Sequence, residues 1–251
     1  MDPRVALLRE FYRGLPQDRV KLETDEHGFD FLERLVAGGA VLEYGELTLS
    51  GLLHKYKLAR LPAGEFDGHL AAHVAQTRNV CLYFGEQANA LFCFNLDDNR
   101  LPAAGTPLPE MEFAVRHLGE TLRQVGCEPL IVASGRGYHV WGRLEEAVPN
   151  DRLYAFLLRA GVLTAAALQR GGLDHHRIKF NFYPDPRARD VVSLRLFGTR
   201  HARTRRFSQV LADGGLLDEA ASWEHFAGHL RTGTIPAARL LAAQEALAAM
   251  A

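Results

Sequence analysis

The apolar and polar positions of residues 90–183 change period from one stretch to the next, and each change marks an element. "ALFCFNLDDN" (90–99) alternates, with Phe92, Phe94 and Leu96 facing one way and Cys93, Asn95 and Asp97 the other. In "PEMEFAVRHLGETLRQVG" (109–126), Met111, Val115, Leu118, Leu122 and Val125 recur at spacings of four and three, which predicts a helix with one apolar face. "PLIVASG" (129–135) and "YHVWGRL" (138–144) predict two strands joined by a tight glycine-bearing turn. Asn150 stands where an N-cap belongs, ahead of a helix whose apolar side includes Leu153, Phe156, Leu157, Ala160 and Leu163. "RIKFNFY" (177–183) alternates again, with Ile178, Phe180 and Phe182 on one side.

This order is βαββαβ, so the fold class is α+β with a core like the RNA-recognition motif. Right-handed crossovers then predict an antiparallel sheet of spatial order 4-1-3-2. In that sheet the end of the first strand at Asp97, the Ser134–Gly137 turn and the start of the fourth strand near Asp174 share one edge. Helices cover Phe92, Phe94 and Leu96, while Asn95, Asp97, His139 and Trp141 lie on the opposite face.

The flanks are less regular. Helical patterns fall near 4–13 and 28–37, "AVLEYGELTL" (40–49) is strand-like, and "NVCLYFGE" (79–86) is expected to form a hairpin with the first core strand. The end of the chain predicts two short amphipathic helices split by "TGTIP" (232–236). The expected organisation is an N-terminal αβ module over 1–78, the RNA-recognition-like core over 79–215 and a helical tail over 216–251.

Composition narrows the class. The chain has 251 residues, 47% hydrophobic and 24% charged, as in an ordered globular protein. Its formal net charge of -1 hides a basic segment: Arg177 to Arg206 holds nine Lys or Arg against Asp185 and Asp190. Cys81, Cys93 and Cys127 are odd in number and widely spaced, which argues against structural zinc and a disulfide framework. "MDPRVALLREFYRG" holds no long apolar core and no apolar run approaches the ~20 residues of a membrane span. A cytoplasmic location without a signal peptide or membrane is therefore the expectation.

Three polar stretches carry candidate chemistry. Asn95, Asp97 and Asp98 are hard oxygen donors at a strand end, suited to Mg²⁺, although Asp and Asn also favour turns there. Ser134, Gly135, Arg136 and Gly137 can bare backbone N–H groups toward an anion, with His139 two residues beyond the turn; tight turns also use glycine for its own sake. In "SLRLFGTRHARTRR" (193–206), Arg195 falls on a strand and His201, Arg203 and Arg205 in a loop that is either a solvated basic run or a polyanion contact. Together they fit a metal–triphosphate site. Trp141 and Tyr183 are expected to pack rather than to stack bases.

These residues resemble the archaeo-eukaryotic primase superfamily, which includes primase-polymerases and the polymerase domains of bacterial end-joining ligases. "FNLDD" (94–98) is similar to its first motif, a strand ending in Asp-hydrophobic-Asp. "SGRGYHVW" (134–141) is similar to its second, and "GLDHHRI" (172–178) with "LRLFGTRHARTRR" (194–206) to its third and the loop that follows. The likeness spans about 90 to 210. It implies a nucleotidyltransferase, a DNA primase or primase-polymerase working on a single-stranded DNA template and a primer with nucleoside triphosphates. A helicase or primase accessory protein is a further partner class.

By the same resemblance, Asp97 and Asp174 help hold two divalent ions, Mg²⁺ or Mn²⁺. Ser134 and His139 would grip the triphosphate with Arg136, Arg195, His201 and Arg203. Two-metal transfer onto a hydroxyl is the implied mechanism. Two departures stand out. Asn95 occupies the place of the family's first Asp and offers a neutral, weaker ligand, for which Asp98 could compensate. The third acid is either Asp174 or Asp190. Asn95 therefore motivates a second reading, a catalytically impaired nucleotide- or nucleic-acid-binding module on the same fold. A third reading, a metallohydrolase built on "DHH" (174–176), is disfavoured because His175 and His176 diverge on an extended backbone.

Overall fold

The computed structural model describes residues 2–24, 28–46, 54–62, 64–98, 108–187, 193–201, 204–213 and 215–249. In chain order the elements are α1 (Pro3–Phe11), β1 (Val20–Thr24), α2 (Gly28–Ala37), β2 (Val41–Glu46), β3 (His54–Arg60), α3 (Glu65–Val74) and β4 (Arg78–Tyr83). Next come β5 (Ala88–Asp98), α4 (Pro109–Gln124), β6 (Leu130–Ala133), β7 (Gly137–Pro149), α5 (Asn150–Arg170), a 3-10 turn (His175–Arg177) and β8 (Ile178–Tyr183). The last are β9 (Ser193–Arg195), β10 (Gln209–Ala212), β11 (Gly215–Leu216), α6 (Glu219–Thr232), β12 (Thr234–Ile235) and α7 (Ala237–Ala249). Among the described residues no helix is long and apolar enough to cross a membrane.

Two units result. The first joins Met1–Gly85 to Ala188–Phe207, the second Glu86–Arg187 to Ser208–Ala251. This differs from three consecutive blocks ending at 78 and 215, because the chain leaves and re-enters each unit.

In the first unit an antiparallel sheet runs β2-β3-β1-β4-β9. Alternation along β1 buries Val20, Leu22 and Thr24, in register with Leu58, Tyr56 and His54 of β3 and with Leu82, Val80 and Arg78 of β4. The expected hairpin between 79–86 and the first core strand does not form. Residues 80–83 of β4 are buried on both faces, so β4 finds its partners in β1 and β9 instead.

In the second unit the order is β11-β10-β6-β7-β5-β8, with β12 parallel to β7. Its four central strands therefore stand in the expected 4-1-3-2 order. Phe92, Phe94 and Leu96 of β5 are wholly buried in a core with Leu118 and Leu122 of α4, Phe156, Leu157 and Ala160 of α5, and Leu240 and Leu247 of α7. Each of these Phe and Leu side chains contributes about 1.5–3 kcal/mol of transfer free energy. Asn150 is not a cap: α5 begins at that residue, and Asn150 Oδ1 accepts from Asn89 Nδ2 at 2.7 Å. The final helices form as expected, but the break between them carries β12, which pairs with Arg143 and Leu144 of β7.

Candidate nucleotide site

Antiparallel register builds the rim of the second unit. Across β6, β7, β5 and β8, Val132, His139, Asn95 and Asn181 form one row; two residues on, Gly137, Asp97 and Lys179 form the next row of the same face across β7, β5 and β8. Neighbouring strands lie about 4.8 Å apart. Asp97 therefore stands directly beside the Ser134–Gly137 turn, and Asp98 pairs with Ile178, next to the 3-10 turn capped by Asp174. The end of β5, the Ser134–Gly137 turn and the start of β8 therefore lie at one edge of this sheet, whereas the basic stretch 193–206 falls largely in the first unit.

The turn is held by glycine. Gly135 has φ of 97°, a left-handed conformation that side chains resist, and a Cβ at Gly137 would collide with the Leu96 carbonyl. Ser134 N donates to Gly137 O at 2.8 Å and closes the turn. Ser134 and His139 are buried, while Arg136 is exposed, with Nη2 3.7 Å from Asp97 Oδ1.

Beside the turn, Asn95 Nδ2 donates to Asp97 Oδ2 at 3.1 Å. Asn95 is 8% exposed, and its Oδ1 is buried with no hydrogen-bond partner among the described residues. Tyr183 shares a side-chain hydrogen bond with Asn95, and burial, aided by Cys93 and Asp97, pushes its phenol up to about 12. Trp141 and Tyr183 are both buried, so they pack as expected. The three cysteines are free and buried, and burial raises the Cys81 thiol to about 12 and the Cys127 thiol to about 11.

Three solved structures that align with this chain are primase or polymerase domains. The polymerase domain of Mycobacterium tuberculosis Ligase D in complex with DNA aligns over 92% of this chain and 88% of its own, at 13% identity and a TM-score of 0.47. The cyanophage S-2L primase-polymerase domain aligns over 88% and 94%, at 16% identity and a TM-score of 0.33. Primase RepB' aligns over 98% and 68%, at 15% identity and a TM-score of 0.36. No family model and no curated protein matches. Likenesses this distant carry no argument about chemistry, which rests on the geometry of the rim.

Paired divalent ions sit only about 4 Å apart, so they need carboxylates that converge. Among the described residues no group of three or more His, Cys, Asp or Glu is arranged to hold a metal ion. Asn95 offers a neutral oxygen, Asp97 already faces an amide and a guanidinium, and Asp174 Oδ1 accepts from His176 N at 3.0 Å. The described donors do not fit a two-ion centre. The alternative third acid, Asp190, and Arg203 lie outside the described residues.

Arg195 and His201 belong to the first unit, so the ladder of the second does not gather them. Arg195 pairs with Cys81 on β9, and His201 closes a hairpin of its own. The expectation that His175 and His176 diverge is also corrected. Their backbone is a 3-10 turn rather than a strand, and the rings lie 4.0 Å apart.

Sequence reasoning missed Lys179 and Asn181, although the alternation of "RIKFNFY" assigns both to the face opposite Ile178. It also missed the ion pair of Arg177 Nη1 with Glu110 Oε1 at 2.6 Å, which ties the start of α4 to the start of β8. No local signal reports a pairing 67 residues apart.

Proposed function

We propose that the second unit is a nucleotide-binding core of the primase-polymerase kind, with an RNA-recognition-like arrangement of its four central strands. The Ser134–Gly137 turn takes the phosphate chain of a nucleoside triphosphate. Backbone N–H groups at Gly135 and Gly137, the Ser134 hydroxyl, Arg136 and His139 supply donors to the anion. Asn95 Oδ1 supplies an acceptor for a donor that the ligand brings. The observation that supports this reading is the register that sets Gly137 across from Asp97 and His139 across from Asn95.

A second reading, template-directed joining of nucleotides on a DNA primer, draws on Asp97 and Asp98 at the end of β5 and Asp174 before β8. Binding without synthesis is the reading that Asn95 favours. Both are tested on the full chain, by titrating a fluorescent ATP analogue and by incubating labelled primer–template with nucleotides and Mn²⁺ or Mg²⁺. The binding reading expects saturable binding, about tenfold weaker in His139→Ala, with no primer extension. Absence of nucleotide binding under any condition sinks both readings; extension by the wild-type chain establishes the second. Asn95→Asp is expected to gain Mn²⁺ binding, read by calorimetry with the metal alone.

A further inference from the structure

The two polar rows at the rim of the second unit hold one carboxylate, Asp97, and the side chains set about it are an amide, a guanidinium and an ammonium. We infer that this site takes a nucleoside triphosphate free of divalent metal, with the Lys179 ammonium as the resident cation for its phosphate chain. The inference rests on the nucleotide reading above and concerns how that same site meets its ligand's charge.

Cross-strand register decides which residues could share an ion. Residues directly opposite on neighbouring antiparallel strands share a face, with Cβ atoms about 4.5–5.5 Å apart. A carboxylate from β8 that joined Asn95 or Asp97 would have to stand at position 181 or 179. Asn181 and Lys179 occupy those positions. The first offers a neutral amide, and the second a positive charge that repels a metal ion beside it. Asp98, one residue on from Asp97, pairs with Ile178 and falls to the other face.

Asp97 itself is engaged. Its Oδ2 accepts from Asn95 Nδ2 at 3.1 Å, and its Oδ1 lies 3.7 Å from Arg136 Nη2. Lys179 stands across the ladder from this carboxylate yet makes no ion pair among the described residues. It is exposed, so its flexible stem can carry the ammonium along the row. Two cationic side chains beside one carboxylate are the balance of an anion site, not of a site for a dication.

A second observation points to a ligand here. Asn95 is 8% exposed, and its Oδ1 is buried with no hydrogen-bond partner among the described residues. An acceptor orphaned in the interior costs stability until something donates to it. The half-buried Asn181 opposite makes no side-chain hydrogen bond among the described residues. A ligand hydroxyl can donate to Asn95 Oδ1 and accept from Asn181 Nδ2 at once. Spacing then selects the length of the phosphate chain. Gly137 and Lys179 lie two strand spacings apart, about 9.6 Å. A chain that starts on the Ser134–Gly137 turn approaches Lys179 as it lengthens, so the ammonium acts on a triphosphate more than on a monophosphate.

The experiment titrates the fluorescent ATP analogue against the full chain, first in EDTA and then in excess Mg²⁺ or Mn²⁺. Saturable binding in EDTA is expected, and excess ion should weaken it by drawing the phosphate chain into its own complex. Lys179→Gln should bind about tenfold more weakly in EDTA through loss of a charge-assisted contact. Its melting temperature should be unchanged, and the monophosphate analogue should lose much less. Lys179→Asp is the sharper variant: two carboxylates then face each other across the ladder, and Mn²⁺ alone should bind more tightly than to wild type by calorimetry. Wild-type binding that requires an ion overturns the inference and leaves the nucleotide reading standing, as does wild-type affinity of Lys179→Gln in EDTA. Absence of binding both with and without ions sinks the nucleotide reading and this inference with it. The wild-type series needs no variant, so a variant that fails to fold leaves the inference open to refutation.

Discussion

Two arginine-bearing turns of this molecule, Ser134–Gly137 and Arg200–Phe207, are held in opposite ways. The Ser134–Gly137 turn is shaped by glycines: Gly137 lies against the Leu96 carbonyl where no side chain fits, and its single guanidinium has the Asp97 carboxylate 3.7 Å away. The Arg200–Phe207 turn keeps a side chain at its left-handed position and is braced from outside by Gln76. The difference separates two ways of fixing a tight turn. One removes side chains so that backbones can pack closely. The other keeps a side chain and clamps the backbone with hydrogen bonds from a distant residue.

The hardest blow to the first turn is Gly137→Val. The added atoms meet backbone, which cannot swing aside, so β7 must shift from β5. A loss of about 3 kcal/mol in urea unfolding is expected, together with loss of nucleotide binding. Near-wild-type stability would mean that the close approach is not needed to hold the rim.

For the second turn, His73→Ala is the comparable test. His73 is wholly buried, accepts from Val80 N at 3.0 Å through Nδ1, and bonds the Phe197 carbonyl at 2.9 Å through Nε2. Orphaning both backbone groups should cost about 2–3 kcal/mol. Burial also holds His73 down to about 4 from 6.5. The unfolded chain therefore takes up this proton first, so the contribution is complete above pH 6.5 and is lost as pH falls toward 4. The acid limb of the stability curve should flatten in His73→Ala without vanishing, because burial also lowers His69 and His229 to about 4. An unchanged acid limb would remove His73 from the account.

The same contrast explains what could be read from the sequence. The rim of the second unit was legible because the polar end of β5 alternates: once Phe94 and Leu96 are given to the core, Asn95 and Asp97 fall on the other face, although β5 is buried on both faces from Leu91 to Leu96. Crossover handedness then places β7 and β8 on either side. The first unit resisted this reasoning. β4 is buried on both faces and so shows no period that names its partner, and β9 is three residues long with its ladder on a strand over 100 residues earlier. The Gln76 brace spans 122 to 124 residues and announces itself by nothing local. His175 and His176 were misplaced for a related reason: a 3-10 turn replaces the extended backbone that the argument assumed.

The smallest expected effect on stability sharpens the comparison most. Arg136→Ala removes an ion pair whose members keep 43% and 21% of their side-chain surface in solvent, at a separation of 3.7 Å. Pairs this exposed contribute little, so unfolding should change by less than about 0.5 kcal/mol. If Arg136 faces the phosphate chain, nucleotide affinity should still drop about tenfold, because a charge-assisted contact is lost. If instead Arg136 chiefly neutralises Asp97, its removal should leave nucleotide affinity unchanged and raise the affinity for Mn²⁺ alone. Calorimetry with each ligand separates these outcomes, and the second would place the anion contacts on the glycine backbone, Ser134 and His139 alone.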